Sequence, residues 1–369
     1  MMTHINFMRC SVMAFVVLFL YITKPGIAEE MHPKCLKYLE LTKGKVFDCP
    51  SDETLKYFSE QSENMDISQI YINDGSRITD TGIAYLVKLP LVVLSIRKGN
   101  FEGKNFNQFT LLCYLHLTDC SLSDKAINSI VQMPSLVSLD IYNVSGITTT
   151  GFAVLLNSNK VRELTVYTPL ITNSWFIHQD LEKITRLESL TLCGNLHESI
   201  FEAIACIPNL KSLNISCITD RQDLMSDEKK ECARISILPV WHWNTIANHL
   251  GKLQHLKTLE LSCIGGIITD PENITIPVNF AHLKSLKIGG IIDYEFTEAI
   301  YEKIPELDSL DILHTPAQLQ KFLSRNPAID FGEMYSRYPD LERANISFKQ
   351  MSEDVNQILT EENDNINDH

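Results

Sequence analysis

Ten cysteines, eleven histidines and twelve tyrosines hold most of the reactive and recognition chemistry in this 369-residue chain. Catalysis needs such residues in a pattern. The sequence has no G-x-S-x-G elbow, no Walker loop, no H-E-x-x-H pair and no dinucleotide fingerprint. His242 stands between Trp241 and Trp243, and His249 follows seven residues later on what should be the same helix. No carboxylate has metal-ligand spacing to that pair, so packing of the tryptophans accounts for the segment. The expectation is a chain that is not an enzyme, with no cofactor and no metal. Tyrosines then offer binding surface and cysteines offer cross-links, provided the fold brings distant residues together.

One short pattern does so. An apolar residue, two others, an apolar residue, one other and a third apolar residue recur from Ile67, Leu91, Leu112, Leu136, Val161, Leu187, Leu210, Leu256, Leu283 and Leu307. The steps are 24, 21, 24, 25, 26, 23, 46, 27 and 24 residues. Leu112-Leu115-Leu117-Cys120 and Leu187-Leu190-Leu192-Asn195 complete L-x-x-L-x-L-x-x-[NC]. Leu115 and Leu117 alternate with Tyr114, His116 and Thr118, which predicts a strand. Between strands, segments such as 79–90 carry Ile83, Leu86 and Leu89 on one helical face. Asp80 is placed to cap that helix and Pro90 to end it.

On these motifs the chain resembles the leucine-rich repeat family. Ile78-Thr79-Asp80-Thr81-Gly82 looks like the helix start of its cysteine-containing class. The resemblance covers about residues 67–313 and implies an α/β solenoid, a horseshoe with parallel strands on its concave face and short helices on its convex face. It also implies a recognition scaffold and names no partner. Many relatives are intracellular ubiquitin-ligase adaptors, but no F-box-like module precedes the repeats. Some bacterial relatives carry a cysteine-dependent ligase domain; here no cysteine follows Leu313. The chain looks more like the secreted repeat proteins of parasites and pathogens.

In such a solenoid the third, fifth and seventh residues of each strand segment face the hollow. Tyr114, His116, Asp140, Tyr142, Glu163 and Tyr167 would then form one patch from three strands. Tyrosines on a rigid sheet make good anchors, having much area and little entropy to lose. The alternative is that tyrosine simply suits a strand surface. The last five copies place Ser189, Ser212, Thr258, Ser285 and Ser309 at the third position. An insertion at 218–239 accounts for the long step and is the rival binding surface, or a solvated loop.

Cys35 and Cys49 are expected to pair, pinning a small amino-terminal cap. Cys217 is expected to pair with Cys232 in the insertion or with Cys263 at the equivalent place in the next copy. Zinc is the rival for these three, without C-x-x-C spacing to support it. Cys113, Cys120 and Cys206 read as core, and Cys193 as exposed. Sequons begin at Asn143, Asn214, Asn273 and Asn345, and a sugar at Asn214 would fill the second half of the hollow.

Residues 1–28 read as a secretory signal, with Arg9, an apolar run over 10–22, and Gly26-Ile27-Ala28 ahead of the cut. An uncleaved anchor is the alternative, although the run is short for a ~30 Å hydrocarbon core. The plan is therefore a signal (1–28), an amino-terminal cap (29–66), repeats (67–313), a carboxy-terminal cap (314–349) and an acidic tail (350–369). A net charge of −14 argues against nucleic acid. The expected function is that of a secreted scaffold binding an extracellular or host-derived protein, with no membrane span. The alternative is a surface or wall protein that self-assembles through its repeats.

Overall fold

The computed structural model describes residues 44–61, 67–176, 179–217, 240–263, 267–268, 273–289, 294–304 and 306–313. Strands β1 (Gly44–Phe47), β2 (Gln69–Ile72), β3 (Val93–Arg97), β4 (Tyr114–Thr118), β5 (Ser138–Tyr142) and β6 (Glu163–Tyr167) open one long sheet. It continues through β7 (Ser189–Gly194), β8 (Ser212–Cys217), β9 (Thr258–Cys263), β10 (Ser285–Gly289) and β11 (Ser309–Leu313). Spatial order follows chain order, and every pairing is parallel. The repeat sets the register, so Tyr114, Ser138 and Glu163 stand side by side. This is a leucine-rich repeat solenoid.

The three apolar positions of each copy point away from the hollow into a continuous core. Leu112, Leu115 and Leu117 are buried, as are Leu187, Leu190 and Leu192. Burying one such side chain contributes roughly 1.5–3 kcal/mol, and neighbouring copies share the same core.

On the other side the chain returns through α1 (Asp52–Gln61), α2 (Asp80–Leu86), α3 (Asp124–Val131), α4 (Thr149–Leu156), α5 (Ile200–Ile204), α6 (Trp243–Leu250) and α7 (Tyr294–Lys303). Three returns use only 3-10 turns: Phe106–Gln108; Asn173–Phe176 with Leu181–Lys183; and Val278–His282. In the shortest copy Phe106 replaces a helix face, meeting Phe101 edge-on at 5.6 Å.

A polar ladder links successive returns. Asp52 Oδ1 accepts a hydrogen bond from Thr79 N at 2.9 Å, and Asp52 Oδ2 accepts one from Thr79 Oγ1 at 2.6 Å. Thr79 Oγ1 in turn caps α2 by accepting from Thr81 N at 3.1 Å. A Cβ on Gly82 would overlap the Asp52 carboxylate. The glycine of the I-T-D-x-G start thus makes room for the acid of the preceding copy. Asp80 repeats the device forward, accepting from Gly103 N at 3.0 Å.

Two expectations about extent shift. The sheet begins before residue 67, because β1 and α1 follow the repeat plan inside the segment read as a cap. The helix expected to hold both His242 and His249 begins at Trp243 and leaves His242 out; Trp241–His242 pairs as a short strand with Ile267–Ile268. The signal, the insertion at 218–239, the carboxy-terminal cap, the acidic tail, Cys35, Cys232 and Asn345 lie outside the described residues.

Candidate functional site

Parallel, in-register strands lie ~4.8 Å apart, so side chains at equivalent positions stack into columns across the sheet. Tyr142 and Tyr167 are register partners in one such column, and the ring of His116, which stands opposite Asp140, lies diagonally against Tyr142. The His116 and Tyr142 rings are 5.1 Å apart, and those of Tyr142 and Tyr167 are 5.8 Å apart and stacked at 19°. All three are partly exposed on the concave side. His116 Nδ1 lies 3.5 Å from Asp140 Oδ2, and its Nε2 is 2.8 Å from Thr118 Oγ1. The side chains of His116 and Asp140 keep 30% and 28% of their surface exposed, so this ion-pair geometry remains open to a partner. Glu163 stands partly exposed in register with Ser138, on the strand next to Asp140.

The structure thus groups five of the six expected patch residues on one accessible surface. Tyr114 differs: it is only 5% exposed, in a buried row with Val93 and Ser138. Although it shares the strand face of His116, it offers little surface as an anchor. Tyr71, two strands away, donates to Gln69 Oε1 at 2.9 Å, and burial pushes its phenol up to about 12. The second half of the hollow is polar and self-paired: Lys287 meets Glu260 at 2.7 Å, and Ser309 Oγ donates to Ser285 Oγ at 2.8 Å.

Where the strands leave the sheet, Lys98, Asp119 and Asn143 have φ of 59°, 53° and 50°. Asp and Asn tolerate this left-handed turn better than most residues. There Asp119 receives Arg97 Nε at 2.9 Å and Asn143 Nδ2 at 2.9 Å. Burial pushes the Asp119 carboxyl up, but the hydrogen bonds from Asn143 and Arg97 outweigh it and hold it below the usual range. This rim cluster was not foreseen from sequence. Its signal in the sequence is a polar residue just after each strand from β1 to β6.

Among the expected core cysteines, Cys113 and Cys120 are buried, and burial raises the Cys120 thiol to about 11. Cys206 is a correction: it is exposed, because α5 and its end turn Ile200, Ile204 and Ile207 inward and leave Cys206 on the outer side. Cys193 is also a correction. It is buried beside Tyr167, its register neighbour, and burial raises its thiol to about 11. Cys49 is exposed, with its expected partner Cys35 outside the described residues. Cys217 and Cys263 stand in register on β8 and β9.

His242 is held by Glu198, whose Oε2 accepts from His242 N at 2.9 Å and lies 3.1 Å from its Nδ1. Trp243 is buried and donates Nε1–H to Thr275 O at 2.8 Å, as packing required. Among the described residues no group of three or more His, Cys, Asp or Glu could hold a metal ion. No described helix is long and apolar enough to cross a membrane. Of the sequons, Asn143 and Asn273 are exposed, whereas Asn214 is partly buried within β8.

Fold and site together define a leucine-rich repeat solenoid with an aromatic, acid-flanked patch on its strand face. No protein-family model matches the chain, and no curated protein matches it. Among solved structures it is similar to an internalin, InlF, from Listeria monocytogenes: 18% identity, TM-score 0.38, covering 70% of this chain and 79% of that one. It is also similar to TLR13 in the TLR13–ssRNA13 complex: 15% identity, TM-score 0.31, covering 73% of this chain and 50% of that one. At these values the fold assignment rests on this chain's own repeat and sheet.

Proposed function

We propose that the protein is a secreted, non-enzymatic scaffold that holds a protein partner on the concave face of its sheet. The ring cluster of His116, Tyr142 and Tyr167, flanked by Asp140 and Glu163, carries this reading. Stacked rings fixed by a sheet lose little entropy on binding, and their faces and edges take apolar or cationic groups. The neighbouring carboxylates favour basic partners and repel acidic ones. The preferred ligand is therefore a polypeptide segment with exposed apolar and Lys or Arg side chains. Secretion rests on the apolar run at 10–22 and the small residues at 26–28.

The test is selection from a displayed peptide library on the chain from Glu29 onward, with Tyr142→Ala protein as the counter-selecting surface. The proposal expects recovered sequences that combine basic and aromatic or aliphatic residues. Recovery of acidic sequences, or of peptides that bind the variant equally well, would remove the concave patch from the account.

A further inference from the structure

We propose that Cys217 and Cys263 are a disulfide-forming pair that closes the sheet across the longest step in the repeat, by exchange with a small-molecule or enzyme-borne disulfide. The inference does not depend on what the concave face binds.

The pair is placed by the sheet itself. Cys217 ends β8, Cys263 ends β9, and the two are direct register partners. Equivalent Cα atoms on neighbouring parallel strands lie ~4.8 Å apart, inside the range a disulfide spans. Both side chains turn to the same inner side, where they are 2% and 3% exposed. Their sulfurs already interact: the hydrogen bond with Cys263 holds the Cys217 thiol below its ordinary value, against the opposing effect of burial. That raises the share of thiolate, the form that attacks a disulfide. Cys193 is near Cys217 but is the weaker rival, since burial keeps its thiol high and its side chain bonds to Tyr167.

The exchange balances in two steps. The Cys217 thiolate attacks one sulfur of the reagent disulfide; that S–S bond breaks, and the departing sulfur leaves as a thiolate that takes up a proton. Cys263 then loses its proton and attacks Cys217 Sγ in the mixed disulfide, releasing the second reagent thiol. Two protein thiols are oxidised and one disulfide is reduced to two thiols. Because both cysteines end their strands, fraying of the strand ends suffices to admit the reagent. Between them the chain runs 46 residues, compared with 21 to 27 for the other repeat steps. The bond therefore closes the widest loop in the array, where a cross-link restricts the unfolded chain most. It would also fix strands β1–β8, among them those that carry Tyr142 and Tyr167, to β9–β11.

The full chain from Glu29 onward should be incubated in native buffer with oxidised glutathione, alkylated and mapped without reduction. The expected result is a Cys217–Cys263 linked peptide, lighter by two hydrogens than its separate parts, in the parent and in Cys232→Ser. The oxidised parent should also unfold at a higher temperature than its reduced form. Cys263→Ser should lose both effects, with Cys263→Ala as the second form should the hydroxyl be poorly tolerated. Cys206, exposed, reports that the reagent is active by forming a glutathione adduct. Separately alkylated Cys217 and Cys263 alongside that adduct would overturn the proposal. So would a Cys217–Cys232 or Cys193–Cys217 link in place of the expected one.

Discussion

Asp124 opens α3 yet serves the helix of the next copy: its Oδ1 accepts from Thr148 N at 3.0 Å and its Oδ2 from Thr148 Oγ1 at 2.6 Å. Thr148 passes the bond on by capping α4. The same geometry joins Asp52 to Thr79 one helix pair earlier. Each acid thus makes the cap of one repeat depend on the presence of the repeat before it. Solenoid repeats couple through such nearest-neighbour terms.

Removing that carboxylate should be felt as the loss of a charged cap interaction. Asp124→Ala should lower stability by about 1–2 kcal/mol in urea denaturation followed by circular dichroism. An unchanged midpoint would mean that water replaces the acid without loss.

A Cβ on Gly151 would overlap Asp124 Oδ1, so Gly151→Ala should destabilise even though alanine favours helix. The two changes share one cause. In the double variant Asp124→Ala with Gly151→Ala, the combined loss should fall short of the sum of the single losses. Strict additivity would separate the glycine from the acid.

Acid should weaken the strand-exit rim. The Asp119 carboxyl is held below its ordinary value of 3.8 in the folded chain. Its stabilisation is therefore present above the unfolded value and is lost as pH falls through the lower, folded one. The group is partly solvated, so the term is small, about 0.2–1 kcal/mol. Comparing the parent with Asp119→Asn at pH 7 and below pH 4 should show the difference between them shrinking in acid. A gap independent of pH would assign the role of Asp119 to its backbone turn alone.

Glycosylation should follow exposure. In a host with the pathway, Asn273 should be modified and Asn214, partly buried within a strand, should not. Intact-mass analysis of Asn214→Gln and Asn273→Gln would decide it. A sugar found on Asn214 would mean attachment before the sheet forms.

Much of the fold was legible because every copy repeats the same demand. Leu115, Leu139 and Leu164 recur at one position, each is buried, and together they fix strand, register and hollow at once. The returns were less legible. Phe106 and Phe109 have helical spacing, but the short step leaves room only for a 3-10 turn. The beginning of the sheet was missed because the β1 segment, Gly-Lys-Val-Phe, lacks the leucine pattern and borrows its register from β2. Of the site, the grouping of the three rings on one strand face followed from strand position alone. The burial of Tyr114 did not, since it depends on how closely neighbouring side chains crowd its row. Cys193 and Cys206 exchanged expected environments for a similar reason: helix phase and the neighbouring Tyr167 ring decide them, not the type of residue.

The most direct measurement takes the strongest peptide recovered by the selection and titrates it calorimetrically against the parent, Tyr142→Ala, Tyr167→Ala and Ser285→Ala. If the ring cluster is the binding surface, loss of either tyrosine should weaken affinity about thirtyfold, or ~2 kcal/mol, while Ser285→Ala changes it little. Equal, small effects from all three, in proteins that remain folded, would contradict concave binding at this patch.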